Sequence, residues 1–160
     1  MTSEIRQRLL AGVSAGDSFS VTRTFTEDEM IRFAEFSGDY NPIHFNEEYA
    51  SAKGFDGLIC HGLHVGSLIT EIGGQLSMLA AGMNYRFRRP VYFGDTITCT
   101  LTIDEMDERG RVKCTANFVN QKDETVIDGQ LFGVLPDPAE LAIIARPGTR
   151  GHGNEGTGST

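Results

Sequence analysis

The sequence predicts an α+β fold in which a long antiparallel β-sheet wraps around one central α-helix, and three observations predict it. Residues 62–79 carry apolar side chains at helical spacing around most of the circumference, four alternating runs follow them, and a further alternating run at 18–25 precedes them. A helix that is apolar on nearly all sides must be enclosed by other structure, and helices early with strands late is an α+β order. The 160 residues show no change of composition, so one domain is expected, large enough to bury a core without disulfides or metals.

In chain order, Phe19, Val21, Arg23 and Phe25 alternate with Ser18, Ser20, Thr22 and Thr24, the period of a half-buried strand. Thr26 followed by Glu29 is a capping-box pattern. It opens a helix over 27–36 with Met30, Ile31, Phe33 and Ala34 as apolar positions, ended by Ser37-Gly38-Asp39. Gly, Asp, Asn and Pro make 38–46 a loop. Asn46 caps a short helix over 47–50, and a turn follows at 54–57.

The central helix has Leu63, Val65, Leu68, Ile69, Ile72, Leu76 and Leu79 as its apolar set. Gly73-Gly74 inside it costs about 1 kcal/mol per glycine relative to alanine, and close packing against another backbone is one compensation. Glu71, on an enclosed helix, needs a partner or a raised pKa.

Strands follow. Met83, Tyr85 and Phe87 form one apolar row. Ile97, Cys99, Leu101 and Ile103 form a second, alternating with Thr96, Thr98, Thr100 and Thr102. Val112, Cys114, Ala116 and Phe118 form a third, and Ile127, Leu131 and Leu135 mark a fourth. The turns at 108–110 and 121–123 are short enough for hairpins, which makes an antiparallel meander. Residues 148–160, GTRGHGNEGTGST, hold no large apolar side chain and are expected to form a flexible tail behind a folded domain at 1–147.

A net charge of −8 and a pI of about 4.9 argue against nucleic acid and anionic membrane surfaces as partners. The three cysteines, Cys60, Cys99 and Cys114, form no CxxC pair, so neither a disulfide framework nor a zinc site is expected. Reduced thiols and the lack of an apolar export segment in MTSEIRQRLL fit the cytoplasm. The apolar stretch 62–81 carries His64, Glu71 and Gln75, which reads as a core helix and not a membrane span.

The densest polar segment is Ser37-Gly38-Asp39-Tyr40-Asn41-Pro42-Ile43-His44. In a loop stiffened by Pro42, a carboxylate and an imidazole five residues apart can converge, hold one water and move protons in both directions. Asp39 and His44 are therefore the candidate catalytic pair, with the roles of acid and base left open. Downstream, Cys60-His61-Gly62 precedes the central helix, whose first backbone N–H groups lack intrahelical partners and can polarise a carbonyl. His61 reads first as a residue that bonds a backbone carbonyl and fixes the turn. His44, His61 and His64 lack the spacing of known metal patterns, so no metal is expected. Arg86, Arg88 and Arg89 form a basic patch on an acidic chain.

SGDYNPIHFN, GFDGLICHGLHVGSLI and YRFRRPVYFGDTI together resemble the MaoC-like family of R-specific enoyl-CoA hydratases and acyl dehydratases, over roughly 19–135. The resemblance implies a single hot-dog fold, at least a homodimer, and reversible hydration of trans-2-enoyl-CoA to (R)-3-hydroxyacyl-CoA. It implies no cofactor beyond the CoA, or acyl carrier protein, that the substrate brings. Asp39 and His44 match the family's water-binding pair, and Gly62 matches the residue whose N–H contacts the thioester oxygen. Thr70 falls where short-chain bacterial members carry an active-site Ser, a departure that keeps the hydroxyl. Asn41 resembles a loop-stabilising Asn, and Asn41, His61, Arg86, Arg88 and Arg89 form the candidate substrate-binding set, the arginines for the CoA phosphates. A hot-dog acyl-CoA thioesterase and a non-catalytic acyl-CoA-binding module are the competing readings.

Overall fold

The alternating runs of the sequence build one sheet because each places apolar side chains on a single face, and a computed structural model describes it for residues 3–146. The expected tail at 148–160 lies outside the described residues. Strands β1 (Ser18–Thr24), β2 (Leu79–Phe87), β3 (Thr96–Met106), β4 (Arg111–Val119) and β5 (Thr125–Val134) form an antiparallel sheet in the order β1-β3-β4-β5-β2. The hairpins joining β3, β4 and β5 are the expected meander.

The first strand after the central helix departs from a simple meander. β2 pairs with β5, with Met83 opposite Leu131 and Tyr85 opposite Gly129, and the chain then crosses to the far side of the sheet to begin β3. The connection at 88–95 contains Pro90 and is too long for a tight hairpin. β1 and β2 are thus the two edges.

On the inner face of β3 and β4, Ile97, Cys99, Leu101, Ile103, Cys114, Ala116 and Phe118 are fully buried. On the outer face of β1 and β3 the hydroxyls pair across the strands: Ser18 with Thr102, Ser20 with Thr100, Thr22 with Thr98 and Thr24 with Thr96, each at 2.7–2.8 Å. This division of apolar and hydroxyl faces sets the register, since a slip of one residue would turn the hydroxyls into the core.

The helices follow their capping chemistry. Ser3 caps α1 (Glu4–Ala11), an element the sequence reading did not anticipate, and Leu9 anchors it in the core. The capping box of Thr26 and Glu29 opens α2 (Glu27–Ser37), and Gly38, at φ 76°, closes it. Asn46 caps α3 (Glu47–Ala52). A last helix, α6 (Pro138–Ile144), opens on a second capping box from Asp137 and Glu140 and was also not anticipated.

The central helix is the main correction. It is two short helices, α4 (Gly62–Gly66) and α5 (Ile69–Gln75), joined at Ser67–Leu68. There the ladder tightens to i→i+3 bonds, Leu68 to Val65 and Thr70 to Ser67. The Ser67 hydroxyl donates to the His64 carbonyl at 2.6 Å and the Thr70 hydroxyl to the Ser67 carbonyl at 2.7 Å, so side chains compete for the helix's own acceptors.

Nor is it enclosed all round. Val65, Leu68, Ile69, Ile72 and Leu76 are buried, whereas Leu63, Thr70 and Glu71 are exposed. Glu71 is therefore no buried carboxylate: it lies 3.6 Å from Arg23 on β1 at the surface. Gly73 and Gly74 meet no neighbour that a Cβ would strike. They occupy the last turn, where their carbonyls accept from Met78 and Ser77. The glycines that do allow close packing are Gly62 and Gly66, against the rings of Phe87 and Tyr85.

Gly129, on β5, is a position where the sheet leaves no room for a side chain. A Cβ there would strike the Asn84 carbonyl oxygen and come within 2.6 Å of the Tyr85 ring. Gly129→Ala is expected to cost about 1–3 kcal/mol by overpacking, read as a lower urea midpoint at unchanged slope.

Candidate active site

The loop after α2 is built to hold two side chains still. Gly38 turns the chain, Asn41 accepts from the Ile43 N–H at 3.2 Å, and Pro42 opens a single 3₁₀ turn, Pro42–His44. Asp39 divides its carboxylate between two tasks. Oδ1 accepts from the Asn41 N–H at 3.2 Å, an Asx turn, and Oδ2 faces two histidines. Asp39 Oδ2 lies 4.0 Å from His44 Nε2 and 3.9 Å from His61 Nε2. Both gaps are too long for direct hydrogen bonds, and the Asp39–His44 gap, which opens onto a cavity, suits a bridging water.

The tautomers follow from the partners. His44 Nδ1 lies 2.7 Å from the Ile59 carbonyl oxygen. A carbonyl only accepts, so Nδ1 carries the hydrogen and neutral His44 presents the Nε2 lone pair to Asp39. His61 Nε2 lies 2.9 Å from the Asp39 carbonyl oxygen and by the same reasoning donates to it. The two imidazoles stack with centroids 3.7 Å apart. Burial pushes the His44 pKa below its ordinary 6.5; the bond to Ile59 opposes this, neighbouring His61 adds to it, and Asp39 opposes it.

Asp39, His44 and His61 are also the described His/Cys/Asp/Glu group whose ligand atoms could meet one metal ion, all within 4.8 Å. His61 Nε2 is occupied as a donor, so only Asp39 and His44 offer lone pairs there. His64, considered with them in the sequence reading, is not part of this set and instead stacks on Phe33 with centroids 5.1 Å apart.

Asp39 and His44 open onto a cavity of about 440 Å³. Its walls are largely apolar: Ile59 and Cys60 before α4, Val65 on α4, and Val91 and Ile127 from the sheet side. Gly62 is on this wall as the first residue of α4, with the Phe87 ring packed against it. Cys60 is buried, its thiol pKa raised to about 12 first by burial, which keeps it a packing residue.

Of the arginines, Arg88 and Arg89 line the cavity, and Arg86 does not. Arg86 and Arg88 line a separate polar hollow on the outer side of the sheet, with Asn84, Asn117 and Asp128. Thr70 is not brought to the cavity: it is exposed on α5, and its hydroxyl is spent on Ser67. Asn41 is exposed and holds the loop without lining the cavity. The sequence reading missed the Ile59 carbonyl, which has no side-chain signature, and Phe87, whose place at the end of a strand rich in aromatics was the available signal.

Comparison with known proteins agrees with this layout. Residues 13–125 match the model of the MaoC like domain. The chain is 34% identical over 134 residues to a mitochondrial 3-hydroxyacyl-[acyl-carrier-protein] dehydratase of Arabidopsis thaliana, covering 78% of this chain and 79% of that protein. It is 28% identical over 152 residues to the 3-hydroxybutyryl-CoA dehydratase of Methylorubrum extorquens, covering 91% and 95%. Among solved structures, the unliganded R-hydratase PhaJ1 of Pseudomonas aeruginosa superposes with a TM-score of 0.73 at 30% identity, over 80% of this chain and 85% of that one. A family match over most of the sheet, the central helix and the Asp39/His44 loop makes this chain a member of the MaoC-like dehydratase family, in its single hot-dog form.

Proposed function

We propose that this hydro-lyase adds water reversibly to a trans-2-enoyl thioester, giving the (R)-3-hydroxyacyl thioester. The observation that carries the reading is the convergence of Asp39 Oδ2 and the His44 Nε2 lone pair, 4.0 Å apart, on the wall of an apolar cavity. Relatives named (R)-specific enoyl-CoA hydratase, from Rhodospirillum rubrum and Aeromonas caviae, support the handedness. Others named for acyl-carrier-protein substrates keep both thioester carriers in the class.

In this reading one water donates a hydrogen bond to Asp39 and another to His44. As its oxygen bonds to C3, Nε2 takes the proton and the π electrons move onto the thioester oxygen. The Gly62 N–H, without an intrahelical acceptor at the first position of α4, faces that oxygen, a contribution of about 3 kcal/mol for one such donor. The imidazolium then returns its proton to C2 as the carbonyl re-forms. Water is split across C2 and C3, and no cofactor is consumed.

Arg88 and Arg89 stand at the cavity rim for the anionic groups of the carrier. Each already has a partner, Asp128 for Arg88 and the Thr125 carbonyl for Arg89. Exposed pairs are worth only about 0–1 kcal/mol, so a phosphate can displace them.

We place a second copy of the chain at β2. This edge strand exposes Leu79, Met83 and Phe87 beside unpaired backbone groups, a surface that natural sheets cover.

The wild-type chain should bleach the enoyl absorbance of crotonyl-CoA without releasing thiol from saturated acyl-CoA. Asp39→Asn and His44→Gln should each lower kcat by about 10²–10⁴-fold; near-wild-type hydration by both variants would sink the assignment.

The acid limb of kcat/KM should have its midpoint below 6.5, because the active form of His44 is neutral and its pKa is lowered. The same burial lowers His64. The unfolded chain gains protons near pH 6.5 that these folded histidines refuse, so stability is full above that pH and falls as pH drops through the window below it.

Sedimentation should give a dimer, and Met83→Glu, which puts a charge on the β2 edge, should shift the equilibrium toward monomer.

A further inference from the structure

His61 packs against both Asp39 and His44 without lining the cavity: it is 1% exposed, the most buried polar residue among those described, and absent from the cavity wall. It occupies the N-cap position of α4, yet its side chain makes no capping bond. The ring turns instead to the Asp39–His44 loop. There it does two things at once. Its Nε2–H donates to the Asp39 carbonyl at 2.9 Å, and its face stacks on the His44 ring at 3.7 Å between centroids, 27° from parallel.

This placement has a cost that packing alone does not explain. With the hydrogen on Nε2, the Nδ1 lone pair is buried without a partner. A phenylalanine would fill similar space and stack on His44 without an orphaned atom. What it lacks is the N–H that holds the Asp39 backbone. The tilted contact with Phe33 of α2, centroids 5.1 Å apart, fixes the ring from another side. His44 is meanwhile tied at its own far edge to Ile59. The backbone carrying Asp39 and the plane of His44 are therefore both referred to one rigid ring.

We infer that His61 is a positioning residue for the hydration: by its Nε2–H bond to the Asp39 carbonyl and its stacking on His44, it sets the gap in which the Asp39/His44 pair holds water. This inference rests on the function proposed above. His61 touches neither substrate nor water, so its effect is on geometry, and displacement of a reacting group by about 1 Å can cost about 10²-fold in rate.

The test compares wild type, His61→Phe and His61→Gln in crotonyl-CoA hydration over a range of pH, with thermal unfolding as the folding check. Gln can place an amide N–H near the imidazole Nε2 position. His61→Phe is expected to lower kcat about 100-fold with KM changed less than about threefold. Its acid limb should move up, since a neighbour that lowers the His44 pKa is gone. His61→Gln should recover at least about tenfold of that loss. A kcat within about threefold of wild type in a folded His61→Phe, or equal losses in Phe and Gln, overturns the inference.

Should His61→Phe fail to fold, the side-chain ¹⁵N shifts of the wild-type protein decide. A protonated Nε2 and bare Nδ1 on His61 support the inference, and the opposite tautomer overturns it. Absence of wild-type hydration with either CoA or carrier-protein enoyl thioesters counts against the proposed function alone, because the tautomer is read without turnover.

Discussion

One hydrogen bond organises the site: His44 Nδ1–H to the Ile59 carbonyl, at 2.7 Å. It joins the loop after α2 to the segment that enters α4, two stretches that share no strand pairing with each other. It also decides which nitrogen carries the lone pair, since a carbonyl accepts and cannot donate. Burial then keeps the ring neutral against the pull of the Asp39 carboxylate. Together with the His61 ring stacked on it, that bond fixes the direction of Nε2 and with it the 4.0 Å approach to Asp39.

The rest of the fold supports that bond at its two ends. Ile59 is held because it bridges to Tyr92, while the neighbouring Cys60 N–H donates to the Val91 carbonyl at 2.7 Å. Both partners lie on the connection that crosses from β2 to β3. His44 is held because Asn41 and Pro42 wind the chain into one 3₁₀ turn ahead of α3. The cavity between these supports is walled by the core face of α4 and by the ends of β2 and β5. The pair sits at that apolar wall with His44 buried and the Asp39 side chain about half exposed.

Charge is distributed to the same end. The chain carries −8 overall, yet Arg88 and Arg89 stand together at the cavity rim. Their present partners are surface groups, so the arginines are neutralised at little cost and released at little cost.

Much of the local structure was legible because it depends on neighbours in sequence. The capping box at Thr26 and Glu29, the Asn46 cap, the strand alternation and the Asp39-to-His44 loop are all set by residues within a few positions of one another. What could not be read involves distant partners. Glu71 looked buried because the helix looked enclosed, and only its placement beside Arg23 of β1 shows it at the surface. The break at Ser67–Leu68 depends on hydroxyls capturing carbonyls that a periodic pattern treats as spent. α1 and α6 are short, and their apolar stripes are too brief to stand out.

By itself, then, the sequence determined the α+β class, the two faces of the sheet and the placing of Asp39 and His44 in one turn-rich loop at 38–46, because periodicity and turn chemistry are local properties of a chain. Only the tertiary structure decided that β2 pairs with β5, that His61 rather than Thr70 lies against the pair, and that His44 presents Nε2. Those outcomes rest on contacts between segments far apart in sequence, which depend on how the sheet closes over the helix and leave no trace in residue spacing.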